Sequence, residues 1–243
     1  MIELRPTRLR DLAQTDAYEG FIFDLDGTIA DTMGIHRAAF AECFEWHTGY
    51  ALDIIPEKER AKRRTLSVRE IISWLNHEHS CRIDVDTFIA RKEQLVLERL
   101  CEVRPIEPVV GLVMELAQGK RKISVATNSG RDVAMQMLGY LELNHGDYFS
   151  RDRIVTIDDA VRGKPAPDLL LECARRMGVA PSSCVMLGDS APDFEAAQAA
   201  GMGWVNVTRF CQSHHGERSV SAPGDSLSAL KDQPTHSLAR NGR

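Results

Sequence analysis

The sequence predicts an α/β fold: a parallel sheet covered by helices on both faces, interrupted by an all-helical insert. Three observations carry this. From residue 105 to 210, short apolar runs alternate with helical stretches, the pattern of strands joined by crossover helices. Earlier, an apolar run at 21–23 stops abruptly in carboxylates and a glycine, as strands do in open α/β sheets, where sites collect at the carboxyl ends. Between these parts, residues 34–104 show helical spacing and no β-rich run.

In chain order, residues 1–19 are polar and mixed in charge, with Pro6 breaking any early element, and read as an N-terminal extension of uncertain structure. The first strand, Phe21-Ile22-Phe23, follows. Residues 36–46, 67–76 and 86–100 read as helices of the insert; in the last, Phe88, Ile89, Leu95, Val96 and Leu100 are apolar among Arg91, Lys92, Glu93, Glu98 and Arg99. After Pro105 the reading is helix 109–118, strand 122–127, helix 131–141, short strand 154–157, helix 165–177, strand 184–187, helix 192–200 and strand 204–207. Domain boundaries are therefore expected at 20–33 and 105–210 for the sheet domain and 34–104 for the insert, with Gly34 and Arg104-Pro105 at the junctions. From residue 211 the chain is rich in Ser, His, Gly, Pro and Arg; only 226–231 reads as a turn of helix, and the tail is expected to be mobile.

Composition narrows the function. A net charge of −5 (30 basic against 35 acidic residues) argues against nucleic acid as partner. No apolar stretch approaches the roughly 20 residues of a membrane span. The N-terminus lacks the pattern of a secretory signal, and six scattered cysteines with no CxxC pair suit reduced thiols, so a cytoplasmic protein is expected.

Three strand ends carry unusual groups. In Asp24-Leu25-Asp26-Gly27-Thr28, two carboxylates two residues apart concentrate negative charge that needs a cation or a proton. A hard divalent ion such as Mg²⁺ suits such oxygens. Gly27 permits a sharp turn, and Thr28 offers a hydroxyl and an amide to an anion. Thr127-Asn128-Ser129 ends a strand and opens a helix, with hydroxyl, amide and N–H groups able to receive phosphate oxygens. Gly188-Asp189-Ser190, with Asp193, adds two carboxylates. Between the last two, Lys164 of Gly163-Lys164-Pro165-Ala166-Pro167-Asp168 is placed to neutralise a carboxylate or a phosphoryl group.

In order and spacing these motifs resemble those of the haloacid dehalogenase (HAD) superfamily, in its phosphatase and β-phosphoglucomutase-like branch, over residues 20–210. The resemblance implies a Rossmann-like core with a helical cap between the first two motifs. Asp31-Thr32 and His36 look like the hinge segment of that branch. Carried over motif by motif, Asp24 would be the nucleophile that forms an aspartyl-phosphate, and Asp26 the general acid and base. Mg²⁺ would be held by the Asp24 side chain, the Asp26 main-chain carbonyl and Asp189, with Asp193 a further ligand or a group orienting the ligands. Thr28, Thr127, Asn128 and Lys164 would bind phosphate, Thr127 and Lys164 holding the transferring group. Asp26 argues against carbon–halogen and carbon–phosphorus cleavage, since the dehalogenases and phosphonatases lack an acid there.

The expected function is hydrolysis of a small phosphorylated metabolite, such as a sugar phosphate or phosphoglycolate, by a monomer or small homo-oligomer. Two alternatives stay open: a β-phosphoglucomutase-type phosphomutase, and a non-catalytic phosphometabolite-binding protein. Against the mutase stand Gly188 before Asp189, where mutases carry an acid, and Asp193, where they carry a small residue. The mutases' glycine-containing cap loop is also missing from Arg64-Thr65-Leu66-Ser67-Val68-Arg69. His36 and Arg69 are candidate substrate contacts from the cap, and the basic run at 58–64 reads either as solvated surface or as an attractor for an anionic substrate.

Overall fold

The computed structural model describes residues 8–63 and 66–211. The expected tail from 212, with His214, His215 and the 226–231 stretch, lies outside the described residues, as do residues 1–7 and Arg64 of the basic run.

Five strands form one parallel sheet. The first, β1 (Gly20–Phe23), is central and fully buried. On one side it pairs with β4 (Lys122–Ala126) and then β5 (Ile154–Val155); on the other with β6 (Cys184–Gly188) and then β7 (Gly203–Asn206). The chain builds outward from β1 to β5, then crosses back to place β6 against β1, which creates a crevice at the carboxyl ends of β1 and β6.

Side chains alternate across the sheet with a period of two. Phe21 and Phe23 of β1 and Val185 and Leu187 of β6 join the core that holds α5 (Glu107–Gln118) and α6 (Arg131–Tyr140). Ile22, Cys184 and Met186 face the other way, onto α7 (Asp168–Met177) and α8 (Ala191–Ala200). Both faces are apolar and covered, which is why the strands read as unbroken apolar runs.

The insert leaves and rejoins the core through a two-stranded antiparallel link, β2 (Ala30–Asp31) with β3 (Arg104–Pro105). Neither short strand was legible as a run. Gly34, expected at the junction, already lies inside α1 (Met33–Thr48). The insert continues with the short α2 (Glu57–Ala61), α3 (Val68–His79) and α4 (Val85–Leu97). Its helices start on local signals. Ser67 and Glu70 form a reciprocal cap, and the Asp84 carboxylate accepts from Thr87 N–H at 2.9 Å. Phe40 and Phe88 meet at 5.0 Å between α1 and α4, over a core that includes Phe44, Ile72 and Leu75.

Several sequence boundaries shift, three of them near the site. The helix expected from 165 begins at Asp168, the 154–157 strand shortens to Ile154–Val155, and Thr127 lies just beyond β4. The residues from 8 onward, expected as an uncertain extension, are tied down instead. A 3₁₀ turn at Leu9–Gln14 packs Leu9 and Leu12 on the core beside α5, and the Arg121 guanidinium donates to the carbonyls of Thr15 and Tyr18. Among the described residues no helix is long and apolar enough to cross a membrane, and Cys43, Cys81, Cys101, Cys173 and Cys184 are free thiols.

Candidate active site

The carboxyl ends of β1, β4 and β6 converge, and each ends in a polar turn. Asp24 follows β1, its N–H donating to the Leu187 carbonyl of β6, so its buried side chain points over the crevice. The next turn brings Gly27 to φ +81°, a left-handed conformation. A Cβ there would lie 2.6 Å from Asp189 Oδ2, so glycine is what admits the Asp189 carboxylate. Thr28 is fully buried in this turn, and its Oγ1 finds no hydrogen-bond partner among the described residues.

Lys164 reaches the centre of the site. Its Nζ lies 2.6 Å from Asp24 Oδ1, 2.6 Å from Asp193 Oδ1 and 2.9 Å from the Ala126 carbonyl. The ammonium is therefore spent on two carboxylates and the end of β4. Their charges push its pKa up against the lowering effect of burial. Asn128, an expected phosphate ligand, clamps the lysine's main chain: its Oδ1 accepts from Lys164 N–H at 2.8 Å and its Nδ2 donates to the Lys164 carbonyl at 2.9 Å. Gly163 makes room for this clamp, since a Cβ there would fall 2.5 Å from Asn128 Oδ1.

Asp193 stands in the first turn of α8, where its Oδ2 accepts from the hydroxyl of Ser190 at 2.5 Å and from the N–H of Ser190 at 3.2 Å. One carboxylate thus both caps the helix and pairs with Lys164. Asp24, Asp189 and Asp193 each bring an oxygen within 4.8 Å of the others. Burial and then the Asp193 charge push Asp24 well above the usual carboxylate range, and the same causes push Asp189 up to about 6. Three carboxylates against one ammonium leave the cluster short of positive charge. Hard oxygen donors in that excess, beside a turn that only glycine keeps open, fit a divalent cation such as Mg²⁺.

Asp26 has separate surroundings. Its Oδ1 accepts from Thr32 Oγ1 at 2.7 Å and contacts His36 Nε2 at 2.7 Å, and its Oδ2 accepts from Ser129 Oγ at 2.7 Å. Burial pushes the Asp26 carboxyl up, but His36 and the hydrogen bonds from His36, Ser129 and Thr32 outweigh it and hold the group below the usual range. Behind His36 stands Lys92 of α4, with Nζ 2.8 Å from Nδ1. An ammonium has donors only, so Lys92 donates to Nδ1 and leaves Nε2–H to donate to Asp26. Burial lowers the Lys92 pKa.

The structure thus brings Asp24, Asp189, Asp193 and Lys164 into one cluster, with Asp26 and His36 beside it, and buries Thr127, whose Oγ1 accepts from Ser129 N–H at 3.0 Å. It does not bring Arg69 there. That side chain sits on α3, largely exposed, and is held by Asp86 at 2.7 Å on the insert's own surface. Of the basic run, Arg60 is bound to Glu57 and the Ile55 carbonyl, and Arg63 lies over the Trp74 ring. Lys92 was missed as a site residue because it reads as one more charge between Arg91 and Glu93 on an amphipathic helix. Its spacing, four residues after Phe88 and three and four before Leu95 and Val96, which puts it on the buried face of α4, was the available signal.

Known proteins resemble this chain over most of its length. The model of the haloacid dehalogenase-like hydrolase family matches residues 21–207. Fructose-1-phosphate phosphatase YqaB of Escherichia coli is 36% identical over 193 residues, 79% of this chain and 97% of that protein. A phosphorylated carbohydrates phosphatase of Thermotoga maritima is 29% identical over 187 residues, 76% of this chain and 82% of that protein. The crystal structure of a family IA, variant 3 HAD hydrolase from Entamoeba histolytica shares the fold, with a TM-score of 0.68 at 22% identity, over 78% of this chain and 84% of that one. With these motifs on three adjacent strand ends, the chain belongs to the haloacid dehalogenase-like hydrolase family, as an enzyme of its phosphatase branch.

Proposed function

We propose that the enzyme is a Mg²⁺-dependent phosphomonoester hydrolase of small phosphorylated metabolites, foremost sugar phosphates, working through a phosphorylated Asp24. The observation that carries this is the division of labour between two carboxylates two residues apart. Asp24 lies in the carboxylate cluster with Lys164, whereas Asp26 is bound to His36, Thr32 and Ser129. One is set up to attack and the other to handle protons.

In this reading the Asp24 oxygen attacks phosphorus in line with the leaving alcohol, and Lys164 turns part of its charge toward the transferring group. Asp24, Asp189 and the Asp26 main-chain carbonyl would hold the Mg²⁺, whose charge offsets repulsion between carboxylate and phosphate. Thr28 Oγ1, buried without a partner among the described residues, and Thr127 would supply uncharged donors to the phosphate, and Asp193 keeps Lys164 aimed. Asp26 gives a proton to the leaving oxygen and later takes one from the water that hydrolyses the aspartyl-phosphate. Held ionised, it is ready for the base half of the cycle; for the acid half, a proton passes from His36 Nε2 to Asp26 as Lys92 Nζ gives one to Nδ1, and the proton later taken from water returns along the same path to Lys92. Helices α1–α4, inserted between β2 and β3, act as a cap that closes over the substrate.

The sugar-phosphate assignment is supported by the relative at 36% identity, which bears the name of a fructose-1-phosphate phosphatase. The test is phosphate release from the purified chain with Mg²⁺ over a panel of fructose 1-phosphate, glucose 6-phosphate, phosphoglycolate and nucleotides. Efficient release from a sugar phosphate is expected. Rapid conversion of β-glucose 1-phosphate to glucose 6-phosphate with little free phosphate would make it a mutase, and no turnover of any ester would make it a binding protein.

A further inference from the structure

Adjacent residues of α4 take partners in different parts of the fold, one in α1 of the insert and one in the core. Lys92 goes to His36, as described, while the Glu93 carboxylate accepts the Gly130 N–H at 3.2 Å. Gly130 is the N-cap residue of α6 and follows Ser129, which holds Asp26. The contacts close a ring: Lys92 to His36, His36 to Asp26, Asp26 to Ser129, along the chain to Gly130, across to Glu93, and back to Lys92.

Two features show that this seat is built. First, α6 lacks its own reciprocal cap: its third helical position is Val133, which offers no acceptor, and Gly130 makes no side-chain cap. Asp158 takes the Arg131 N–H at 2.8 Å, and the cap's Glu93 takes the Gly130 N–H, so both acceptors come from elsewhere in the fold. A carboxylate is the favoured partner at the positive end of a helix. Second, Gly130 is buried and makes the approach possible, because a Cβ there would lie 2.8 Å from Glu93 Oε1 and 3.2 Å from Oε2.

We infer that Glu93 is a positioning residue: it seats the cap on the N-terminus of α6 and so sets Lys92 and His36 against Asp26. The inference rests on the phosphatase reading for its kinetic consequence, but not for the contact itself. Without Glu93, α4 loses its hydrogen bond to the turn after Ser129, and Lys92 supports His36 against Asp26 without that second anchor. A substrate with a poor leaving group, such as a sugar phosphate, needs Asp26 aligned; an aryl phosphate, whose leaving group needs little protonation, does not.

The test uses the full chain and four variants: Glu93→Ala, Glu93→Gln, Gly130→Ala, and Glu93→Ala with Gly130→Ala. Amide exchange at Gly130 and along α4 should quicken about tenfold in Glu93→Ala. In Glu93→Gln, whose amide oxygen still accepts, it should stay near the parent. Gly130→Ala should match Glu93→Ala, and the double variant should be no worse than either, as expected for one shared contact. In kinetics, Glu93→Ala should lose about tenfold in kcat/KM on a sugar phosphate while para-nitrophenyl phosphate turnover barely moves. Unchanged exchange in Glu93→Ala, equal losses on both substrates, or effects that multiply in the double variant would each overturn the inference. A parent chain that hydrolyses no ester would defeat the phosphatase reading instead, and the exchange data would still decide the contact.

Discussion

The Asp193 carboxylate occupies the space where a side chain at 188 would begin: a Cβ on Gly188 falls 2.7 Å from both Cγ and Oδ2 of Asp193. The bare backbone at the end of β6 lets Asp193 lean across from α8 and meet Lys164 at 2.6 Å. An acidic side chain at 188 and a carboxylate at 193 compete for one space, which gives a physical reason why the mutase pattern pairs an acid at the first position with a small residue at the second.

Gly188→Ala should therefore displace Asp193 and release Lys164 from one of its two anchors. Misplacing a catalytic group by about an ångström costs on the order of a hundredfold in rate. Steady-state kinetics on a sugar phosphate should show that loss mainly in kcat, and the melting temperature should fall as well, since Asp193 also caps α8.

Asp24→Asn removes the proposed nucleophile and one of the two charges facing Lys164. Activity should fall about a thousandfold or more while the far-ultraviolet dichroism stays that of the parent. Substantial turnover in a sequence-verified sample would exclude a phosphorylated Asp24.

Metal removal should be legible in both activity and stability. With Asp24, Asp189 and Asp193 converging on one point, EDTA should abolish turnover, Mg²⁺ should restore it, and Ca²⁺, with its larger and looser coordination, should restore it poorly. Mg²⁺ should also raise the melting temperature of the metal-free chain, because binding to the folded state alone stabilises it. A melting curve indifferent to millimolar Mg²⁺ would count against a metal at this cluster.

Away from the site, Arg176 of α7 ties Glu172 at 2.6 Å and Asp159 at 2.8 Å. Hydrogen bonds from Arg175 and Arg176 hold the Glu172 carboxyl down at about 2 despite partial burial. For Asp159, burial pushes up but the Thr156 N–H and Arg176 outweigh it, again to about 2. Both groups are depressed on folding, so their stabilisation is present above the ordinary carboxylate range and is lost as pH falls through about 4 toward 2. Discounted for solvent screening, the loss is about 2 kcal/mol for the pair. Arg176→Met should lower stability at neutral pH and flatten the acid limb; a parent-like acid limb in urea denaturation would refute this assignment.

The alternating sheet and helix order, the all-helical insert and the three polar strand ends were readable from residue order alone, because period and punctuation are local properties of the chain. It also marked Asp24, Asp26, Lys164 and Asp189 as candidates, since each sits in a short motif at a strand end or just before a helix. Only the tertiary structure decided how those groups divide. Asn128 and Ser129 look alike as donors in sequence, yet one clamps the main chain of Lys164 and the other holds Asp26. Arg69 and Lys92 look alike as cap cations, yet Arg69 turns to Asp86 and Lys92 to His36, 56 residues earlier in the chain. Glu93 and Gly130 have no local signal at all. The physical reason is the same each time: a hydrogen bond reports a distance in space, and helix packing, not sequence spacing, sets which charges on an amphipathic helix face a neighbour and which face water.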